Sequence, residues 1–104
     1  MYKGTTPAIS LLIDTDLTLS AMAQIWVTIK DSSGEIYNWE KSDLTINDTQ
    51  KQLIIDMSQL ETLALASGPA EIQVRMLTGD DKALATNISY FNVSDVLKGG
   101  VISG

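Results

Sequence analysis

The sequence predicts an all-β fold, an antiparallel β-sandwich of about seven strands with one short helix. Apolar and polar residues alternate along most of the chain, which is the pattern of strands that bury one face. Clusters of turn-forming residues recur roughly every eight to twelve residues, as they do in sandwiches. Start and stop signals for a helix occur together at one place only, about residues 59–67.

The first part of the chain predicts two strands and a hairpin. In the two strands, the residues expected to face the core are Ile9, Leu11, Ile13, Ile25, Val27 and Ile29. By the same alternation, Trp26 is expected to face away from the core. The cluster Asp31-Ser32-Ser33-Gly34 then reverses the chain, since its glycine can take the positive φ that a hairpin needs. Residues 35–40 therefore return as the third strand.

A short fourth strand, a fifth strand and the helix follow. Leu44 and Ile46 predict the fourth strand, and alternating apolar residues at 53–57 predict the fifth. Ser58 is expected to cap the helix through its hydroxyl, and Glu61 is expected to reach back and complete a capping box.

The helix is expected to end in the sequence Ser67-Gly68-Pro69. Gly68 supplies a left-handed residue, and Pro69 prevents continuation. A helix this short is not stable alone, so we expect it to cross between the two sheets and to cap the core. Its buried face is expected to consist of Leu60, Leu63 and Ala64.

Two further strands complete the predicted sandwich. Residues 71–76 alternate strictly, and a loop at residues 78–82 leads into a last long strand at residues 84–93. That strand changes phase along its length, and a β-bulge near Tyr90 would reconcile its two halves.

The length of 104 residues suits one domain with one core. We expect residues 1–98 to form a single sandwich and residues 99–104, which begin with two glycines, to form a flexible tail. The strand spacing and the single crossover helix are typical of an immunoglobulin-like sandwich.

The composition excludes several kinds of chemistry. The chain has no cysteine and no histidine, so disulfides, thiolate metal sites and a histidine general base are excluded. No phosphate-binding glycine motif is present. The net charge of −6 disfavours nucleic acid as a partner. We therefore expect a protein that is not an enzyme and that holds no cofactor or metal.

No segment predicts a membrane span or a secretion signal. The apolar runs are too short to cross a bilayer, and the N-terminus lacks a long apolar region and a cleavage site. Three Asn-x-Ser/Thr triplets, at Asn47, Asn87 and Asn92, are therefore interpreted as chance occurrences.

Three pairs of acidic residues are candidates for chemistry: Asp14 with Asp16, Asp80 with Asp81, and Glu40 with Asp43. The first two pairs lie in loops and could bind calcium, but neither matches the calcium-loop pattern, so we interpret them as solvated turn acids. The third pair could in principle act as the two carboxylates of a glycosidase. Any two acidic residues could do so, and the pair indicates nothing until the separation of its carboxylates is known.

Apolar residues expected on the surface are more informative. The candidates for a contact interface are Leu12, Trp26, Ile54, Leu97, Val101 and Ile102. Tryptophan is favoured at interface hot spots, although Trp26 could instead lie flat against its own sheet. Leu97, Val101 and Ile102 flank Gly99-Gly100 and are expected either to dock on another subunit or to fray.

Three longer segments resemble a group of known proteins. They are TPAISLLIDTDLTLSAMAQIWVTIKD, DLTINDTQKQLIIDMSQLETLAL and AEIQVRMLTGDDKALATNISYFNVSDVLKGG. They are similar to short proteins encoded in prophages and tailed phages of Gram-positive bacteria and, more distantly, to the N-terminal immunoglobulin-like domain of phage baseplate upper proteins. The resemblance covers most of residues 6–98. One departure is Gly79-Asp80-Asp81, where the group is expected to have a single glycine.

The resemblance implies a structural or assembly protein of the tail, baseplate or capsid, acting through protein–protein contacts in the virion or the host cytoplasm. Its expected partners are other phage structural proteins or further copies of itself, rather than nucleic acid or membrane. The alternative function is a carbohydrate- or calcium-binding sandwich module. In that case Trp26, Tyr37 and Trp39 would be stacking platforms, unless Tyr37 and Trp39 cover the core.

Overall fold

The computed structural model describes residues 1–103, which form eight strands, one α-helix and two short 3₁₀ turns. The elements are β1 (Ala8–Leu12), β2 (Gln24–Lys30), β3 (Ile36–Glu40), β4 (Thr45–Asn47), β5 (Gln52–Asp56), α1 (Gln59–Ala64), β6 (Gly68–Leu77), β7 (Ala83–Ala85) and β8 (Ser89–Val93). The 3₁₀ turns are Leu19–Ala21 and Lys41–Asp43. Gly104, the last residue of the predicted tail, lies outside the described residues.

The strands form two antiparallel sheets around one core. The small sheet has the order β1-β5-β4. In the large sheet β3, β2 and β6 are neighbours, and β7 and β8 both pair with the free side of β6. These orders match strands B-E-D and C′-C-F-G of immunoglobulin domains. The predicted fold class, an all-β antiparallel sandwich with one short helix, is therefore confirmed.

The core lies between the inner faces of the two sheets. Its largest fully buried apolar side chains are Leu19, Ile25, Ile29, Leu53, Ile55 and Leu65. The predicted alternation of β2 is correct, because Ile25, Val27 and Ile29 are all fully buried. Each such side chain stabilises the fold by about 1.5–3 kcal/mol relative to its exposure to water.

The predicted last strand is two strands, because the chain carries one extra residue between β7 and β8. Both pair with β6. Arg75 lies opposite Ala85 and Ile72 lies opposite Ser89. The two residues between these pairs on β6 therefore face the three residues 86–88 on the other side.

The extra residue forms a β-bulge, as predicted. The bulge lies at residues 86–88, however, and not near Tyr90 as expected. The Thr86 hydroxyl accepts a hydrogen bond from the Val74 amide (3.0 Å), and the Thr86 amide donates to the Val74 oxygen (2.9 Å). The side chain of Thr86 thus takes over a ladder bond, and the sheet continues in the opposite phase.

The helix α1 begins as predicted and ends earlier. The Ser58 hydroxyl accepts from the Glu61 amide (3.1 Å), and Glu61 Oε1 accepts from the Ser58 amide (2.9 Å), so the capping box is confirmed. The last helical residue is Ala64, and Leu65 already has extended backbone. Gly68 has a φ of +118° but opens β6 instead of closing the helix. No helix within residues 1–103 is long or apolar enough to cross a membrane.

The predicted buried face of α1 is only partly correct, since Leu63 is half-buried. Leu60 is 69% exposed and Ala64 is also exposed, whereas Thr62 is completely buried. The reason is a polar anchor. The Thr62 hydroxyl donates to the Thr5 carbonyl oxygen at 2.9 Å, so the N-terminal segment packs over the side of the helix where Thr62 lies. Leu65, just beyond the helix, supplies the buried apolar contact.

The two predicted hairpin turns differ in the residue that takes positive φ. Gly34 does so in the first turn (φ +92°), as predicted. In the second turn it is Asp81 (φ +65°) rather than Gly79. The Thr78 hydroxyl donates to Asp80 Oδ1 (2.6 Å) and holds that loop. Aspartate tolerates the left-handed region better than most residues, so the fold is unaffected.

The C-terminal tail folds back onto α1. The Ile102 amide donates to Gln59 Oε1 (2.7 Å), and Gln59 Nε2 donates to the Ile102 oxygen (3.0 Å). The side chains of Leu97, Val101 and Ile102 nevertheless remain exposed. The flexibility of this tail stays a prediction.

Candidate functional site

The two tryptophans of the chain lie on neighbouring strands and point to opposite faces. Trp39 on β3 pairs with Val27 and points inward, where it is 8% exposed. Trp26 on β2 pairs with Glu40 and points outward, where it is 41% exposed. The outward orientation predicted for Trp26 is therefore correct.

Trp39 and Tyr37 hold α1 against the sandwich. The indole Nε1 of Trp39 donates to Glu61 Oε2 (2.8 Å), and the hydroxyl of Tyr37 donates to the Ala64 carbonyl oxygen (3.0 Å). Both aromatic side chains therefore cover the core beneath the helix, which removes two of the three platforms considered for sugar stacking.

Glu61 joins the cap of α1 to the large sheet. Burial raises the pKa of its carboxyl, but hydrogen bonds from Ser58 and Trp39 outweigh burial and hold the pKa below its ordinary value. Glu61 is therefore ionised at neutral pH. It acts as a hydrogen-bond acceptor in the fold rather than as an acid for chemistry.

Asp31 was predicted only as part of a turn, and the structure shows that its side chain is buried. Its Oδ1 accepts hydrogen bonds from Ser33 and from the Glu35 amide, and its Oδ2 accepts from the Ala66 amide (3.0 Å). Burial raises the pKa of Asp31, but these hydrogen bonds lower it by a larger amount. The pKa of Asp31 therefore lies below its ordinary value. The carboxylate joins the β2–β3 turn to the segment after α1, so its role is structural.

Trp26 stands in the middle of a row of three side chains on the outer face of the large sheet. The strand register places Glu40 on one side of it and Arg75 on the other. Cross-strand partners such as these have Cβ atoms about 5 Å apart. The Trp26 Nε1 donates to Gln24 Oε1 at 3.3 Å, two residues earlier on the same strand. The indole therefore lies along β2 with its outer side free.

Shallow open hollows flank the indole. One, of about 520 Å³, is bordered by Glu40 and Lys41, and the other, of about 440 Å³, is bordered by Asn38 and Arg75. Both hollows are wide open to solvent. A ridge between two open hollows suits contact with a protein surface better than capture of a small ligand.

The charges beside Trp26 have no ionic partner within the described chain. The one ion pair in residues 1–103 joins Lys3 to Asp95 at 3.6 Å. The Glu40 carboxylate accepts hydrogen bonds from the Ser42 hydroxyl (3.3 Å) and from the Asp43 amide of the adjoining 3₁₀ turn. Arg75 and Glu40 therefore both keep their charge available at the surface.

The six predicted contact residues lie on three separate surfaces. Leu12 and Ile54 are diagonal neighbours on the outer face of the small sheet, because their partners in the register are Gln52 and Ser10. Leu12 is 75% exposed, whereas Ile54 is half-buried. Trp26 lies on the other sheet, and Ile102 is hydrogen-bonded to Gln59 of α1. The structure does not bring them together.

Arg75 and Glu40 are the residues of this site that sequence reasoning missed as contact residues. Strand alternation places both on the outside, but it says nothing about which strands are neighbours. Only the register shows that residues so distant in sequence flank one indole.

A second surface, with polar and apolar residues in similar proportion, lies on the open side of the sandwich, where no described strand stands beside β1. A groove of about 500 Å³ runs there between β1 and the β7–β8 edge. Ile9 and Leu11, predicted as core residues, are only half-buried at this edge, whereas Ile13 is buried. The opposite sheet does not fully cover an edge strand, which explains the difference.

The three acidic pairs do not form a site. Asp43 Oδ2 accepts from the Glu40 amide (3.1 Å) and so caps a 3₁₀ turn, and Asp80 binds Thr78. Asp14 and Asp16 are exposed. Among residues 1–103, no group of three or more acidic side chains is placed to hold a metal ion.

No protein-family model matches this chain, and no curated protein or solved structure shows significant similarity to it. The resemblance to phage proteins therefore stays a prediction from the sequence.

Proposed function

We propose that this chain is a non-enzymatic structural or assembly protein that works through protein–protein contacts. Its contact surface is the outer face of the large sheet around Trp26. The observation that carries the proposal is the exposed indole, held along β2 and flanked by two charges without ionic partners.

The chemistry of this face suits a contact surface. Tryptophan and arginine are the residue types most enriched at interface hot spots, where truncation costs about 2 kcal/mol or more of binding energy. Trp26 and Arg75 are direct neighbours in the register. The open hollows on both sides leave room for a partner to surround the indole and exclude water.

The setting we propose is the virion of a tailed phage, with other phage structural proteins as partners. This part of the proposal rests on the sequence resemblance alone. The immunoglobulin-like sandwich described above is consistent with it, since such domains serve many unrelated functions.

Fractionation of the producing cells by size tests the function. The wild-type chain is expected in a large particle fraction, and Trp26→Ala is expected to move it toward the free protein of 11.3 kDa. Leu12→Ala, which truncates an even more exposed apolar side chain on the other sheet, is the control and should stay in the particle. A wild-type chain found only as free protein contradicts the proposal.

A thermal-shift screen with calcium and common glycans tests the alternative function. A ligand that binds only the folded state raises the melting temperature. We expect no rise, because Tyr37 and Trp39 are committed to α1 and only Trp26 remains open. A rise that Trp26→Ala abolishes would favour a carbohydrate-binding module instead.

A further inference from the structure

We propose that the Trp26 face binds a second copy of this chain, in a dimer whose two-fold axis runs parallel to β2. The inference rests on the proposed function and deepens it, since it names the partner of the same face. The argument is that the side chains on this face complement their own two-fold copies.

The first evidence is the charged row. Glu40, Trp26 and Arg75 lie side by side on β3, β2 and β6, and neighbouring strands are about 4.8 Å apart. A two-fold axis that lies in the interface and follows β2 exchanges the two sides of that strand. Glu40 of each copy then faces Arg75 of the other. Two charge pairs flank a central contact between the two indoles, which can stack with an offset.

The second evidence is the neighbouring row, made of Asn38, Thr28 and Gln73. Asn38 Oδ1 already accepts from the Thr28 hydroxyl (2.6 Å), which leaves the Asn38 amide with free donors. Gln73 Nε2 already donates to the Thr86 oxygen (2.9 Å), which leaves Gln73 Oε1 as a free acceptor. The same axis places Asn38 of one copy opposite Gln73 of the other, donor to acceptor.

The alternative axis, across the strands, is unfavourable. It places Glu40 opposite Glu40 and Arg75 opposite Arg75, and like charges in contact oppose binding. The copies also repel each other overall, because each carries a net charge of −6. The axis along β2 is the one that pairs Glu40 with Arg75 across the interface, and it also sets Lys30, on the same face of β2, opposite its own copy. An isologous contact of this kind closes at two copies.

Charge reversal tests this geometry on the full chain, by sedimentation equilibrium across a concentration series. The wild type is expected to be a dimer. Glu40→Arg places arginine opposite arginine, and Arg75→Glu places glutamate opposite glutamate. Each is therefore expected to weaken the dimer by more than about tenfold. Lys82→Glu makes the same charge change as Arg75→Glu in an exposed hairpin loop and should leave the dimer intact.

Mixing the two charge-reversal variants gives the most specific test of the proposed pairing. In a heterodimer of Glu40→Arg with Arg75→Glu, both pairs across the axis again carry opposite charges. The equimolar mixture is therefore expected to recover the dimer mass, while each variant alone stays monomeric and folded by circular dichroism.

Three outcomes overturn the inference. They are a wild type that is monomeric at every concentration, a dimer that both reversals leave intact, and a mixture that stays monomeric. If the wild type is monomeric while Trp26→Ala still releases the chain from a particle, the face binds a different protein and the proposed function stands. If neither effect is seen, both proposals fail.

Discussion

Trp39 and Trp26 lie on paired strands, yet they differ in how their polar atoms are used. On the inner side, the Trp39 indole donates to an ionised carboxylate, that of Glu61, and helps to close the sandwich under α1. On the outer side, the Trp26 indole reaches only Gln24 on its own strand, at 3.3 Å, and the charges beside it lack ionic partners. The polar atoms on the inner side are paired with each other, whereas the charges on the outer side have no ionic partner among residues 1–103.

The largest effect on stability is expected from Trp39→Ala. Removing this buried ring leaves a cavity and deprives Glu61 Oε2 of its hydrogen-bond donor, so the free energy of unfolding should fall by about 3–5 kcal/mol. Urea unfolding followed by circular dichroism measures the change. A loss below about 1 kcal/mol, as for an ordinary surface substitution, would remove the distinction between the two tryptophans.

A second large effect is expected at Asp31. Asp31→Asn replaces a buried acceptor of several hydrogen bonds, so it should destabilise the protein by about 3 kcal/mol at neutral pH. Thermal unfolding with Asp14→Asn, an exposed turn residue, as the control measures this change.

The same carboxylates predict the pH dependence of stability. The pKa values of Asp31 and Glu61 are lowered in the folded chain, so the unfolded chain binds protons first as the pH falls. Their contribution is therefore complete above about pH 5 and is lost as the pH falls below about 4. The melting temperature of the wild type should drop across this window, and that of Asp31→Asn should drop less. Parallel profiles would contradict the assignment.

A smaller effect is expected from Ser58→Ala, which removes the side-chain half of the capping box. The cost should be about 1 kcal/mol, because Trp39 and Tyr37 still hold α1 from the sheet. Native-state hydrogen exchange should show earlier opening of α1 with β2 and β6 unchanged. Global unfolding in place of local opening would show that the cap, rather than the aromatic anchors, holds the inner side together.

The smallest effect on the fold is expected from Trp26→Ala. An exposed residue away from the core should change the free energy of unfolding by no more than about 0.5 kcal/mol, while the same variant loses the dimer. Paired unfolding and sedimentation experiments measure both. If the variant is destabilised as much as Trp39→Ala, Trp26 belongs to the fold and not to the contact surface.

Local patterns in the sequence were sufficient for part of this structure. The alternation of β2, the capping box of Ser58 and Glu61, and the positive φ of Gly34 depend on residues close together in the chain, and all three are confirmed. The length and packing face of α1 were not predictable in this way. The packing face depends on the bond from Thr62 to Thr5, which local periodicity does not record.

Only part of the candidate site could be predicted, because local patterns in the sequence do not show which strands become neighbours. Strand phase placed Trp26 outside, but the neighbours Glu40 and Arg75 follow from pairings between distant strands. The break between β7 and β8 likewise follows from their shared pairing with β6.

Fluorine NMR of the protein labelled with fluorotryptophan tests the central claim most directly, because the chain has only two tryptophans. Trp26→Phe and Trp39→Phe assign the two signals. As the protein concentration rises, the Trp26 signal is predicted to shift and the Trp39 signal to stay constant, and Glu40→Arg should abolish the shift. A Trp26 signal that is constant from dilute to concentrated protein, or a shift of the Trp39 signal alone, would contradict the account.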